Sequence, residues 1–159
     1  MKHKITIWAG VILLVAVAGV AAWHFLFSAT RIAFVNYQAT TLGQIVRANG
    51  HTRIRLSSIE PSEFGRLGRY DVVLVNGMGL RITAEERAAL QQAADRGLAV
   101  ITTMATNPAN EILSADSATV ATVKGYLNGG GRRNYHNLLT YLRRTVDGKR
   151  FDTEEPEPP

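Results

Sequence analysis

Residues 71–76 read DVVLVN. Four consecutive apolar residues, three of them valine, sit between an Asp and an Asn. A strand covered on both faces has this composition, and such strands belong to parallel sheets flanked by helices. Downstream, Thr83-x-x-Glu86 is a capping box that opens a helix. Ala89, Leu90 and Ala93 supply its apolar stripe, and Gly97 ends it. Residues 98–103 (LAVITT) then form a second buried strand. Upstream, residues 31–36 (RIAFVN) form a strand. Residues 41–49, with Leu42, Ile45 and Val46 at helical spacing, form a helix closed by Gly50. Residues 52–57 (TRIRLS) alternate, the pattern of a strand with one wet face near a sheet edge. A short helical turn around residues 61–67 follows.

Strand, helix, strand, turn, strand, helix, strand predicts an α/β domain, doubly wound in the flavodoxin or Rossmann manner. Right-handed crossovers place helices on both faces of a four-stranded parallel sheet, in the order 2-1-3-4. After a polar loop over residues 105–115, a C-terminal helical pair is expected at about residues 117–127 and 133–147. Gly129, Gly130 and Gly131 separate the two helices, as a helix-to-helix turn or as a phosphate cradle. The acidic, proline-rich residues 151–159 read as a linker or a truncated continuation.

Residues 5–27 (ITIWAGVILLVAVAGVAAWHFLF) contain no Asp, Glu, Lys or Arg. At 1.5 Å per residue the run matches a bilayer core of about 30 Å. Lys2 and Lys4 precede it, and Trp8 and Trp23 sit near its ends, where indoles favour headgroups. The charge flanks predict a cytoplasmic N-terminus. Residues 1–30 are thus expected to be a single-pass anchor in a bacterial inner membrane, with residues 31–150 as a domain facing the periplasm. A cleaved signal peptide is the alternative, with Val20-Ala21-Ala22 as the cleavage site. The run exceeds the 7–15 residues typical of a signal core.

The chain has no cysteine, which excludes disulfides, thiolate metal sites and Cys nucleophiles. It holds 18 basic and 13 acidic side chains. Lys2 and Lys4 precede the domain, and Asp152, Glu154, Glu155 and Glu157 follow it, so residues 31–151 keep 16 basic against 9 acidic groups. The excess suits solubility and anionic lipid, or an anionic ligand, since Arg matches carboxylates and phosphates. The basic residues are scattered and no recognition motif is present, so nucleic acid is not an expected partner.

Open α/β sheets place their sites at the carboxyl ends of the strands. Here those ends carry Asn36, Tyr37 and Gln38; Ser57 and Ser58; Asn76, Gly77, Met78 and Gly79; and Thr102, Thr103 and Met104, with Asn107 beyond. Neither a carboxylate nor a histidine ends a strand; Glu60 and Glu111 are the nearest acids. Proton transfer needs a group that titrates near the working pH, so no catalytic residue is expected in this chain. GMGLRI departs from a dinucleotide fingerprint at Ile82. His3, His24, His51 and His136 lack ligand spacing, so no metal site is expected either. Binding remains. Asn36, Tyr37, Met78 and Asn107 are the candidate ligand-binding residues, because thioethers and a phenol suit a flat apolar face. Arg55 and Arg81 are candidates for ligand carboxylates. Met104 serves either the ligand or the core, and Gly77 and Gly79 serve either a ligand or turn geometry.

Residues 121–144, ATVKGYLNGGGRRNYHNLLTYLRR, resemble the "YL-x-x-GG-x-x-N-x-x-NLL-x-YL" segment in the large subunit of CobN-type cobaltochelatases and magnesium chelatases. The matching positions are Tyr126, Leu127, Gly129, Gly130, Asn134, Asn137, Leu138, Leu139, Tyr141 and Leu142. VNGMGLRITAEERAAL, RGLAVITTMATNPAN and DGKRF resemble a membrane-anchored branch of that family, associated with removing iron from haem. The resemblance implies the N-terminal domain of a large subunit, with one wall of a cleft for a tetrapyrrole (haem, porphyrin or corrin) as ligand or substrate. It implies that the catalytic residues and the remaining chelatase body lie elsewhere, in the same or a separate chain. A membrane-tethered α/β domain that docks protein partners without a tetrapyrrole is the alternative function.

Overall fold

A computed structural model describes residues 15–19, 29–104 and 115–146. The apolar runs become strands and the periodic stretches between them become crossovers. β1 (Thr30–Val35) leads into α1 (Ala39–Ala48), β2 (Ile54–Ile59) and a 3₁₀-helix (Pro61–Arg69). Then come β3 (Val72–Asn76), α2 (Ala84–Asp95), β4 (Ala99–Thr103), α3 (Ser117–Gly129) and α4 (Gly131–Val146). All pairings are parallel and the order is β2-β1-β3-β4, as the sequence predicts. Phe34 lies beside Leu74, and Leu74 beside Ile101, across the middle of the sheet.

Strand alternation divides the core in two. Ile32, Phe34, Leu74 and Ile101 face α1, α3 and α4, meeting Ile45, Val123, Tyr126, Leu138, Leu139 and Leu142. Ala33, Val35, Val73, Val75 and Val100 face the 3₁₀-helix and α2, meeting Phe64, Leu67 and Leu90. Each fully buried large aliphatic or aromatic side chain contributes about 1.5–3 kcal/mol relative to exposure. Both sheet faces are therefore covered, which is why β3 carries no polar residue before Asn76.

Local boundaries differ from the expected ones at several points: α3 runs on to Gly129 and α4 starts at Gly131, leaving Gly130 alone between them, and β2 and α1 also depart from expectation. β2 begins at Ile54, two residues later than the alternating pattern suggests, because Thr52 and Arg53 form a turn. Its length is set by pairing with β1, from Thr30↔Ile54 to Val35↔Ile59. α1 is closed by Asn49, whose N–H reaches the Ile45 and Val46 carbonyls, and not by a left-handed Gly50. The Asn49 side chain then shapes the turn, donating to Ile54 O and accepting from the His51 N–H, both at 3.1 Å. The Thr83–Glu86 capping box forms as expected.

The anchor expected over residues 1–30 lies outside the described residues, except for residues 15–19, 29 and 30. Residues 15–19 are helical. Among the described residues no helix is long and apolar enough to cross a membrane. The tail over residues 151–159 is likewise outside the described residues.

Candidate functional site

Backbone strain marks the carboxyl edge of the sheet. Among the described residues, Asn36 (φ 59°) and Met104 (φ 52°) are the non-glycine residues with positive φ, and they directly follow β1 and β4. Left-handed non-glycine residues cost about 1–3 kcal/mol and cluster at functional positions. Asn36 is held there by its amide: Nδ2 donates to the Asn76 and Met78 carbonyls, both at 2.9 Å. The Asn76 side chain turns back to accept from the Met78 N–H at 3.0 Å. The Gly77 N–H donates to Thr103 O at 2.8 Å, which ties the β3 loop to the end of β4. Gly79 has φ +63° and supplies turn geometry.

Tyr37 closes the network from the other side. Its ring meets Phe34 edge-on, with centroids 5.3 Å apart. Its hydroxyl lies 3.0 Å from Thr103 Oγ1. Thr103 Oγ1 donates its own proton to Val75 O at 3.4 Å, so the Tyr37 hydroxyl is the donor in the shared bond. Burial pushes the phenol up to about 12. Tyr37 packs against the first core cluster. The sequence places it at a ligand face outside the core; the structure makes it half support and half surface.

The large apolar side chains exposed at this edge, among the described residues, are two thioethers. Met78 is 54% exposed and Met104 42%, so Met104 is not a core residue. They follow adjacent strands whose last residues, Asn76 and Thr103, are register partners. Asn36, Tyr37 and Met78 therefore converge as expected, with Asn76, Thr103 and Met104 joining them. Asn107 lies outside the described residues. Of the two candidate arginines, Arg81 sits in the exposed loop after Met78. Arg55 pairs with Arg31 near the amino end of β2, far from the thioethers.

Acid–base equipment is sparse at this edge. The Glu63 carboxylate accepts from the Glu60 N–H at 3.0 Å and caps the 3₁₀-helix. Among the described residues no group of three or more His, Asp or Glu is placed to hold a metal ion. One histidine pair escaped the spacing argument. His51 and His136 stack with centroids 4.6 Å apart and planes 16° apart. His51 Nε2 lies 2.8 Å from Thr140 Oγ1, which donates to His136 O, so Nε2 carries the proton. The pair joins the α1–β2 turn to α4 and is remote from the carboxyl edge.

A groove of about 510 Å³ opens at the opposite, amino edge, lined by Gly68, Tyr70, Asp71, Arg96, Gly97 and Thr145 among others. It shares no residue with the strained, thioether-bearing edge. The carboxyl edge is preferred as the site because strain, exposed sulfur and the usual α/β site position coincide there.

The residues that carry the chelatase resemblance fold as a helical hairpin. Tyr126, Leu127, Leu138, Leu139 and Leu142 are buried, and Tyr141 donates to Thr119 Oγ1 at 3.2 Å. Gly130 and Gly131, both at positive φ, make the turn between the helices. This motif packs one sheet face, in the core cluster against which Tyr37 also rests. Comparison of the chain with protein-family models, curated proteins and solved structures finds no match.

Proposed function

We propose that the carboxyl edge is one wall of a cleft for a tetrapyrrole, within the membrane-tethered N-terminal domain of a CobN-like chelatase or dechelatase large subunit. The single observation that carries this is the exposed Met78–Met104 pair on a platform stiffened by Asn36, Asn76 and Thr103. Thioethers adapt to aromatic faces, with about 0.3–1.5 kcal/mol per contact. A macrocycle laid there meets sulfur on its face, and Arg81, exposed in the loop after Met78, is the candidate cation for a propionate. The rest of the cleft, and the chemistry of metal insertion or removal, belong to the remaining body. The tether is residues 5–27, with the domain on the periplasmic side. The length and apolar composition of that run, free of Asp, Glu, Lys and Arg, support this reading.

A specific observation favours the alternative of a protein-docking domain. The polar groups of the edge bind one another, which leaves few free to read a polar ligand. One titration separates the two. Full chain in detergent is titrated with haem and with metal-free porphyrin, and the Soret band is followed. Met78→Ala and Met104→Ala should each weaken binding by about 1–2 kcal/mol, the apolar burial of a partly covered side chain. A Soret band indifferent to the protein would reject the tetrapyrrole and leave the docking domain.

A further inference from the structure

The domain is electrically polar along its strands. Arg31 opens β1, and Arg53 precedes β2 with its carbonyl bound to the Thr30 N–H at 2.8 Å. Arg69 ends the 3₁₀-helix, and its carbonyl accepts from Arg31 Nη1 at 3.3 Å. Arg96 closes α2 beside the amino-edge groove. Arg143 and Arg144 occupy the last turn of α4, whose next residues line the same groove. Against these stand Asp71, Asp95 and Asp116. Asp71 already accepts from the Arg31 N–H at 2.7 Å, and Asp116 caps α3. Among the described residues, those that follow the carboxyl ends of β2 and β3 include Glu60, Glu63, Glu85 and Glu86 beside Arg81 and Arg87. Helix ends favour acids at their starts and cations at their finishes, which accounts for part of the polarity. It does not account for Arg31 and Arg53, which sit where strands begin.

The polarity is aligned with the point where the apolar run joins the domain. Thr30 is 2% exposed and hydrogen-bonded into the sheet, so the connection has no slack beyond it. Phe27 is three residues earlier, a reach of at most about 10 Å. That is comparable with the Debye length of about 8–10 Å at moderate salt. The edge richest in arginine is thus held where headgroup charge is felt, and the carboxyl edge is held away.

We propose that the amino edge docks on anionic lipid headgroups and turns the Met78–Met104 edge away from the bilayer, toward the aqueous side. This rests on residues 5–27 spanning the membrane. A lipid surface is the occupant because the tether delivers this edge, and no other, to the headgroups. An acidic protein would have to compete with a surface already within reach.

The 3₁₀-helix supplies paired probes, since it runs from the carboxyl edge to the amino edge. The chain has no cysteine, so Gly68→Cys and Ser62→Cys each give a unique label. A β-carbon at Gly68 meets nothing within 4 Å, and Ser62 is exposed. Labelled full chain is reconstituted in vesicles of phosphatidylcholine alone or mixed equally with phosphatidylglycerol, each with a headgroup spin-label quencher. The Gly68 label should be quenched more strongly in the anionic vesicles, and the Ser62 label in neither. Salt at about 0.5 M should release the Gly68 label. The pair Arg69→Gln with Arg96→Gln should lower the docked-to-undocked ratio about thirtyfold, given the usual weight of each Arg near an anionic surface. Quenching at Gly68 that ignores lipid charge and salt, in a chain that resists alkaline carbonate extraction, overturns the docking alone. A chain that carbonate extracts, with neither label quenched, overturns the membrane span and the docking together.

Discussion

Tyr37 shows how a single side chain can be shared between support and surface. Its ring leans on Phe34 and its hydroxyl donates to Thr103. Tyr37→Phe should lower stability by about 1 kcal/mol, the net worth of one hydrogen bond, because Thr103 keeps its own bond to Val75 O. Tyr37→Ala also removes the packed ring and should cost about 2–3 kcal/mol. Urea denaturation of the detergent-solubilised chain measures both, and equal stability of the Phe variant and the parent would deny the hydroxyl its role. Binding tests therefore belong on Met78, whose exposed side chain can be cut without unfolding. His51 makes a second residue-scale prediction. Burial, then the neighbouring His136 and Arg143, lowers its pKa from 6.5. The unfolded chain takes up this proton first, so stability holds above about pH 6.5 and is lost as pH falls through the folded pKa. Denaturation midpoints between pH 7 and 5 should fall for the parent and fall less for His51→Asn. Parallel pH profiles for the two would remove His51 as the cause.

At the scale of elements, the tightest joint is the turn from α3 to α4. Gly130 has φ 58° and ψ −175°, a region open essentially to glycine. Gly131 follows at φ 77°. The joint folds Val120, Val123 and Tyr126 of α3 onto Leu138, Leu139 and Leu142 of α4, over one face of the sheet. Gly130→Ala should cost about 1–3 kcal/mol through backbone strain alone. The added methyl would meet only the Tyr135 hydroxyl at 3.8 Å, an ordinary contact. A thermal melt of that variant matching the parent would show that the hairpin has another way to turn. The same geometry explains why the segment resembling a chelatase reads so distinctly. Its Gly-Gly pair, tyrosines and leucines are the joint and the packed faces of one helical hairpin.

For the whole molecule, the sheet separates two edges with different surfaces, and β1 begins at one of them. A retained anchor with its N-terminus in the cytoplasm predicts that a reporter fused after Pro159 is active only outside the cytoplasm. Cytoplasmic activity would sink that topology. Soluble protein beginning near Trp23 would replace the anchor with a cleaved signal.

Much of the architecture was legible because its signals are local. β3 and β4 announce themselves as apolar runs since both sheet faces are covered, and α2 carries its own cap and stop within a few residues. Parallel order follows from alternating strands and helices, because right-handed crossovers leave few arrangements. The candidate edge was legible too, since strand ends can be read from strand positions. Tertiary structure decided what those residues are free to do. The Asn36 amide is taken by carbonyls 40 and 42 positions away, and the Tyr37 hydroxyl by Thr103, 66 positions away. Pairing with β1, not alternation, set the span of β2 and carried Arg55 away from Met78. Contact between α1 and α4 brought His51 against His136. Caps and periodicity are satisfied within one or two turns of chain and so are written in short sequence. A polar side chain's partner is whichever group the completed fold brings within 3 Å, and that depends on the packing of every layer.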